Sequence, residues 1–215
     1  MEMFIEALKK KIRSNEGLSP KMQDILDASV ALFSTKGFSN TSTKDIAQAA
    51  NVAEGTIYKH FGTKENLLYA TILPILRDAI SEEAINRIRI IHKCLENTPF
   101  EVFVRYIVTK NVLMPEDHFQ SGKIFFTEMI YDKERCKQFV DMIPPEFIQE
   151  ISSILDNYKA KKEIVDWPNI VIWQFIMSIL SGHHLTHHIL LPDRKWDNES
   201  DIDYLTQQIV KGLQP

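Results

Sequence analysis

Residues 42–61 hold two helices and the corner between them in twenty positions, and this compression limits the fold more than any other feature of the chain. Ser42 stands three residues before Asp45, the spacing at which a hydroxyl caps a backbone N–H while a carboxylate reaches back. A helix is therefore predicted to start there and run from Thr43 to Ala50. Asn51-Val52 forms the turn, because Asn is among the few residues that tolerate the left-handed backbone of a tight corner. Val52 can plug the angle between the helices. The second helix is predicted over Glu54 to Phe61, with Ile57 and Phe61 four apart on one face. Thr56, Lys59 and His60 fall on the opposite arc and Tyr58 at the flank. Eight residues with two apolar anchors cannot hold a helix alone, so this one must pack on its neighbours and leave a polar face outward.

Those neighbours are legible. Ser19-Pro20 is a helix start, with Ser as cap and Pro at the first helical position. Met22, Ile25, Leu26, Ser29, Leu32 and Phe33 follow as one stripe that ends at Lys36-Gly37. After the second short helix, Thr63 caps another, with Leu67, Leu68 and Ile72 inward and a bend predicted at Pro74. Ser81-Glu82-Glu83 and Thr98-Pro99-Phe100-Glu101 are two further starts, the latter read as a capping box from Thr98 with Pro at the first position. Met114-Pro115, Pro144-Pro145, Asp166-Trp167-Pro168 and Leu191-Pro192 mark later boundaries, and a last helix is predicted from about Ser200 to Leu213. With only seven Gly and no recurring period-2 alternation, the expectation is an all-α chain. It divides into an amphipathic basic arm (1–18), a module of short helices (19–79, its central motif 42–61) and a bundle of roughly five helices (80–215).

Charge and cysteine usage exclude several classes. A formal net charge of -4 argues against a protein that coats nucleic acid nonspecifically, a mode that needs surplus Lys and Arg to release counterions. Cys94 and Cys136 form neither a metal-type pair nor a disulfide framework, which fits a reducing compartment. No basic region followed by an apolar one opens the chain, and the longest apolar stretch, Ile170 to Leu180, is too short to span a bilayer. A cytoplasmic protein without membrane contact is expected.

Thr41-Ser42-Thr43-Lys44-Asp45-Ile46-Ala47-Gln48-Ala49-Ala50-Asn51-Val52-Ala53-Glu54-Gly55-Thr56-Ile57-Tyr58-Lys59-His60-Phe61, followed by Thr63-Lys64-Glu65-Asn66-Leu67, resembles the tetracycline-repressor (TetR) family of bacterial regulators. Ala28, Leu32, Phe33 and Gly37-Phe38 extend the likeness. The family usually has Gly where this chain has Asn51, a departure that the left-handed tolerance of Asn makes harmless. The resemblance implies nine or more helices, a helix-turn-helix that reads double-stranded DNA, a homodimer built on the last long helices, and a cavity for a small-molecule effector that relieves repression of an operator. Each contact also has a chemical reading. Thr43 can donate its hydroxyl and an amide to phosphate, and Lys44 can reach the backbone or a guanine edge. Gly55 lets the helix backbone approach the groove. Thr56 can meet a thymine methyl or a phosphate, Tyr58 offers a phosphate-directed hydroxyl, and Lys59 and His60 supply charge or donors. Lys64 matches the family's phosphate clamp. Residues 19–69 carry five Lys and five acidic residues, so geometry and dimerisation must supply the affinity.

In the body, Phe103, Ile107, Phe125, Phe126, Met129, Trp173, Phe175 and Met177 are bulky, adaptable side chains of the kind that line apolar pockets; of these Phe103, Ile107, Phe125, Met129, Trp173 and Met177 are the candidates for the effector. The same residues would fill any helical core. In Gly182-His183-His184-Leu185-Thr186-His187-His188, the pairs 183/187 and 184/188 are four apart and could chelate Zn²⁺ or Ni²⁺ in a metal-responsive regulator, but no acid lies within the run. Polar packing at a dimer interface accounts for them more simply, and no metal or cofactor is expected. No nucleophile elbow, phosphate-binding loop or zinc-protease helix occurs, which points away from an enzyme; a helical metal-dependent hydrolase built on the histidines is the remote alternative.

Overall fold

Ser19 Oγ accepts the Met22 amide and Pro20 occupies the first turn, so α1 (Pro20–Lys36) starts where its sequence dictates and stops at Gly37, whose φ of 81° only glycine adopts at ease. The computed structural model describes residues 7, 10, 18–95, 98–130 and 132–215, apart from the side chains at 77, 79, 95, 117, 125, 126 and 129. The arm expected over 1–18 thus lies outside the described residues except at Ala7, Lys10 and Leu18. After α1 come α2 (Thr43–Ala49), α3 (Glu54–Phe61), α4 (Lys64–Thr71), α5 (Leu73–Ile80), α6 (Glu82–Leu95), α7 (Phe100–Val112), α8 (Glu116–Ile130), α9 (Lys133–Val140), α10 (Pro145–Ala160) and α11 (Asn169–Leu185). A π-helical turn (Thr186–Leu190) and α12 (Asn198–Leu213) complete the order. The all-α expectation holds, with no strand among the described residues.

Two compact units share these helices, one formed by residues 1–87 and 115–147, the other by 88–114 and 148–215. The core of the first is built on Ile25, Phe33, Ile46, Ile57, Phe61, Leu67 and Leu68, with Ile124 and Met142 arriving from α8 and the segment after α9. Tyr69 lies within it and donates to Gln138 Oε1 at 2.7 Å; burial pushes its hydroxyl up to about 12, so it stays a donor. In the second unit Val104, Val108, Leu155, Ile172, Ile176 and Ile209 join an aromatic triangle of Phe100, Phe103 and Tyr158, with centroids 5.1–6.3 Å apart. Arg105 pairs with Asp203 and Arg89 with Glu150 across its helices.

Three details differ from the sequence reading. Pro74 separates two helices where a bend was expected, since α4 stops at Thr71 and α5 restarts at Leu73. The expected capping box at Thr98 is absent: α7 begins one residue later, Pro99 takes the cap position, and the Phe100 amide donates to Glu163 Oε2 at 2.6 Å. From residue 80 onward the described residues form seven helices where about five were expected, partly because Asp132 accepts the amides of Glu134 and Arg135 and starts α9.

Candidate nucleic-acid interface

The corner between α2 and α3 is set by local chemistry. Ser42 Oγ accepts the Asp45 amide at 3.0 Å, while the Ser42 amide and hydroxyl both donate to Asp45 Oδ2 at 3.0 and 2.7 Å. These bonds hold the Asp45 carboxyl below its ordinary value, the side-chain bond from Ser42 acting most strongly. At the other end Asn51 takes φ 53°, which aims the Val52 amide at Ala47 O (2.9 Å) and turns the chain. Val52 packs half-buried against the core. Helix α3 then starts from Ala53 with no side-chain cap, and is pinned by Ile57 and Phe61, 1% and 2% exposed.

With those anchors inward, Gly55, Tyr58 and Lys59 are exposed and Thr56 and His60 half-buried, while Lys44 is exposed on α2. The structure brings Thr43 and Tyr58 together: their hydroxyl oxygens are 3.1 Å apart. Thr43 Oγ1 also donates to Glu54 Oε1 at 2.6 Å, a residue that sequence reasoning passed over. Glu54 showed only as an acid in the first turn of a helix. Its contact spans the corner, eleven residues along the chain, and no local spacing signals it.

Among the described residues, Gly55 has neither a conformational nor a packing reason. Its φ is not in the left-handed region, and a Cβ placed on it meets nothing within 4 Å. Lys64 is placed otherwise than a free cation: its ammonium donates to Phe38 O and Thr41 O, both at 2.9 Å, and lies 4.3 Å from the centroid of the Phe38 ring. Two of its three N–H bonds are thus engaged by backbone carbonyls.

Of the apolar residues considered for an effector, Phe103 is buried in the aromatic triangle. Ile107 and Trp173 are half-buried against the same core, and Met177 is exposed. The side chains of Phe125, Phe126 and Met129 lie outside those described.

Comparison with known proteins places the corner in context. Residues 25–71 match the model of the bacterial regulatory proteins of the tetR family. The uncharacterized HTH-type transcriptional regulator YvkB of Bacillus subtilis (strain 168) is 28% identical over 206 residues, covering 91% of this chain and 98% of YvkB. The HTH-type transcriptional repressor KstR2 of Rhodococcus jostii (strain RHA1) is 34% identical over 62 residues, which is 29% of this chain and 30% of KstR2. Among solved structures, the transcriptional regulator FadR of Bacillus subtilis in complex with stearoyl-CoA superposes with a TM-score of 0.66 at 17% identity, over 89% of this chain and 99% of FadR.

Proposed function

We propose, from its likeness to the tetR family of bacterial regulatory proteins, that the chain is a DNA-binding transcriptional regulator, a small-molecule-responsive repressor that holds a near-palindromic operator as a homodimer. The observation that carries the reading is Gly55. A glycine on an exposed helix face, with open space where its side chain would be, gives up the backbone restraint that alanine would supply and gains no contact for it among the described residues. An external surface that must come close to the helix backbone accounts for it, and the major groove is such a surface. In this reading the Thr43 amide and the Tyr58 hydroxyl meet phosphate, the Tyr58 proton turning away from Thr43 Oγ1, whose own proton stays on Glu54. Lys44, Thr56 and Lys59 read bases, and His60 adds a donor at the rim. Lys64 acts first by holding the 37–42 loop beneath α2.

Two copies of α3 would enter successive major grooves about 34–36 Å apart. The dimer is assigned to α11 and α12, where Ile170, Met177, Leu185 and, on the π-helical turn, Ile189 stand exposed. The same chain's core residues Ile172, Ile176 and Leu180 face the other way. An apolar stripe of this kind suits burial against a second copy. A small-molecule effector is proposed for the helical body, a fold shared with FadR, and Ile107 and Trp173 are its candidate contacts in the second unit, whereas Met177 lies on the exposed face assigned to the dimer. No described helix is long and apolar enough to cross a membrane, and a cytoplasmic regulator is the corresponding proposal.

Footprinting of the full chain on the DNA upstream of its own gene tests the reading. Protection of two half-sites one helical turn apart is expected. Absence of protection at every salt concentration would refute it on that DNA, and a genome-wide selection of bound fragments that returns no enriched palindrome would refute it altogether.

A further inference from the structure

The second unit contains a cluster that the DNA-binding reading leaves unused. His183 lies in the last turn of α11, His187 one turn further on in the π-helical turn, and Asp201 in the first turn of α12. One ligand atom of each lies within 4.8 Å of the others. The run 183–188 holds no acid; the fold supplies the carboxylate from the next helix.

His187 Nε2 and Asp201 Oδ2 are 3.1 Å apart, with side chains only 10% and 18% exposed. At that distance the imidazole and the carboxylate form an ion pair whenever the ring is protonated, and in the neutral ring Nε2 can instead present its lone pair. A second imidazole, that of His183, converges on the same half-buried pair, which is how the ligands of a shared ion are arranged. Around a tetrahedral ion with bonds of about 2.0–2.1 Å, neighbouring ligand atoms stand roughly 3.3 Å apart. The His187–Asp201 pair already has that edge, and rotation of the His183 imidazole closes the rest.

His187 is fixed from the side as well. Its ring stacks on the Trp196 indole, with centroids 3.8 Å apart and planes at 20°, and the His183 ring lies 3.8 Å away. Trp196 is itself tied down through Nε1 to Leu191 O at 3.3 Å. The turn that carries His187 closes with the Leu191 amide on Thr186 O at 2.9 Å, a wide π-type bond, and such turns recur at functional sites. By contrast, the His184 and His188 rings are 5.6 Å apart, and no carboxylate joins them to form a second cluster among the described residues.

We infer that His183, His187 and Asp201 form a binding site for one divalent transition-metal ion of the zinc type. Two imidazoles and one carboxylate suit zinc, cobalt or nickel, whereas magnesium and calcium take oxygen ligands. Three protein ligands leave a fourth position for water or another donor. An ion there ties the end of α11 to the start of α12.

The test uses the full chain without a histidine tag, stripped with EDTA and freed of the chelator. Titration with Zn²⁺ by calorimetry should show one ion per chain, and Co²⁺ should give the visible absorption of a tetrahedral site. Asp201→Asn, which keeps the shape of the side chain, and His187→Ala should each weaken zinc binding at least tenfold. The double variant His184→Ala/His188→Ala should bind as the parent does. Circular dichroism and operator binding without metal establish that each variant is folded. If the parent takes up no stoichiometric metal, or if Asp201→Asn binds zinc unchanged while the 184/188 variant does not, the site does not exist as described.

Discussion

Replacing Lys64 with Met separates two ways in which a cation can serve a DNA-binding module. The ammonium donates to Phe38 O and Thr41 O at 2.9 Å each and sits 4.3 Å from the Phe38 ring, beneath the loop that leads into α2. Hydrogen bonds from a charged donor are worth about 1.5–3 kcal/mol when buried. Lys64 is half-buried, and water screens part of that, so about 1 kcal/mol each is the appropriate scale. The contact with the ring adds about 0.5–1 kcal/mol. Methionine keeps the packing of the aliphatic stem and removes the rest, for an expected loss of about 2–3 kcal/mol. With a urea m-value near 2 kcal/mol/M, the midpoint should fall by about 1–1.5 M. Operator affinity should fall too, because α2 loses its support, while the slope of log K against log salt stays as it was. A lysine whose main partner is phosphate behaves in the opposite way: removing it flattens the slope by about 0.9 per chain and leaves the urea midpoint alone. That second pattern would falsify the positional role.

Glu54→Gln keeps an acceptor for Thr43 and removes a negative charge beside the proposed DNA surface, so affinity measured by anisotropy should rise several-fold at low salt and the gain should shrink as salt increases; weaker binding would show that the charge is needed to orient Thr43. A Cβ on Gly212 would collide with the Phe175 ring, so Gly212→Ala should cost about 1–3 kcal/mol in urea denaturation, and an unchanged midpoint would mean that the ring swings aside freely. Met177→Glu places a charge on the exposed face of α11 and should weaken dimerisation at least tenfold in sedimentation, whereas an intact dimer would move the interface elsewhere. Because the bonds from Ser42 depress the folded value of Asp45 below its ordinary 3.8, its contribution to stability is complete above that pH and lost as pH falls through the lower folded value. Asp45→Asn should therefore flatten the acid limb of a plot of stability against pH, and coincident limbs would contradict the capping role.

What the sequence disclosed was the set of contacts made within a few residues. The caps at Ser19, Ser42, Thr63 and Ser81 join atoms three positions apart, and residue type at that spacing is enough to foresee them. Asn51 is legible for a similar reason: the corner needs one left-handed residue, and φ 53° falls on the one candidate in reach. Contacts that leap along the chain left no mark. Glu163 caps α7 from sixty-three residues away, Lys64 reaches Phe38 across twenty-six, and Asp201 meets His187 from the following helix. Periodicity also shows that a helix has an apolar face without showing which core receives it, so the packing of residues 115–147 on the first unit was not foreseeable.

The charges of the module bear on how a repressor of this kind could be released. Among its five lysines and five acids, the Asp45 carboxylate serves its own cap, the Glu54 carboxylate accepts from Thr43, and the Lys64 ammonium faces two carbonyls. At the corner itself Lys44 and Lys59 are the exposed cations, while the Tyr58 hydroxyl proton points at Thr43 Oγ1. So few cationic contacts give a single module weak affinity and a shallow salt dependence. In the proposed homodimer, useful affinity comes from joining two modules, where the second half-site is bound at the high effective concentration set by the first. That gain depends on geometry alone and vanishes when the spacing no longer fits. An effector therefore has no need to disturb any contact at the corner. A preference of about 2–3 kcal/mol for a dimer with the wrong spacing weakens operator binding roughly 30- to 150-fold, which is within reach of one small molecule in the helical body.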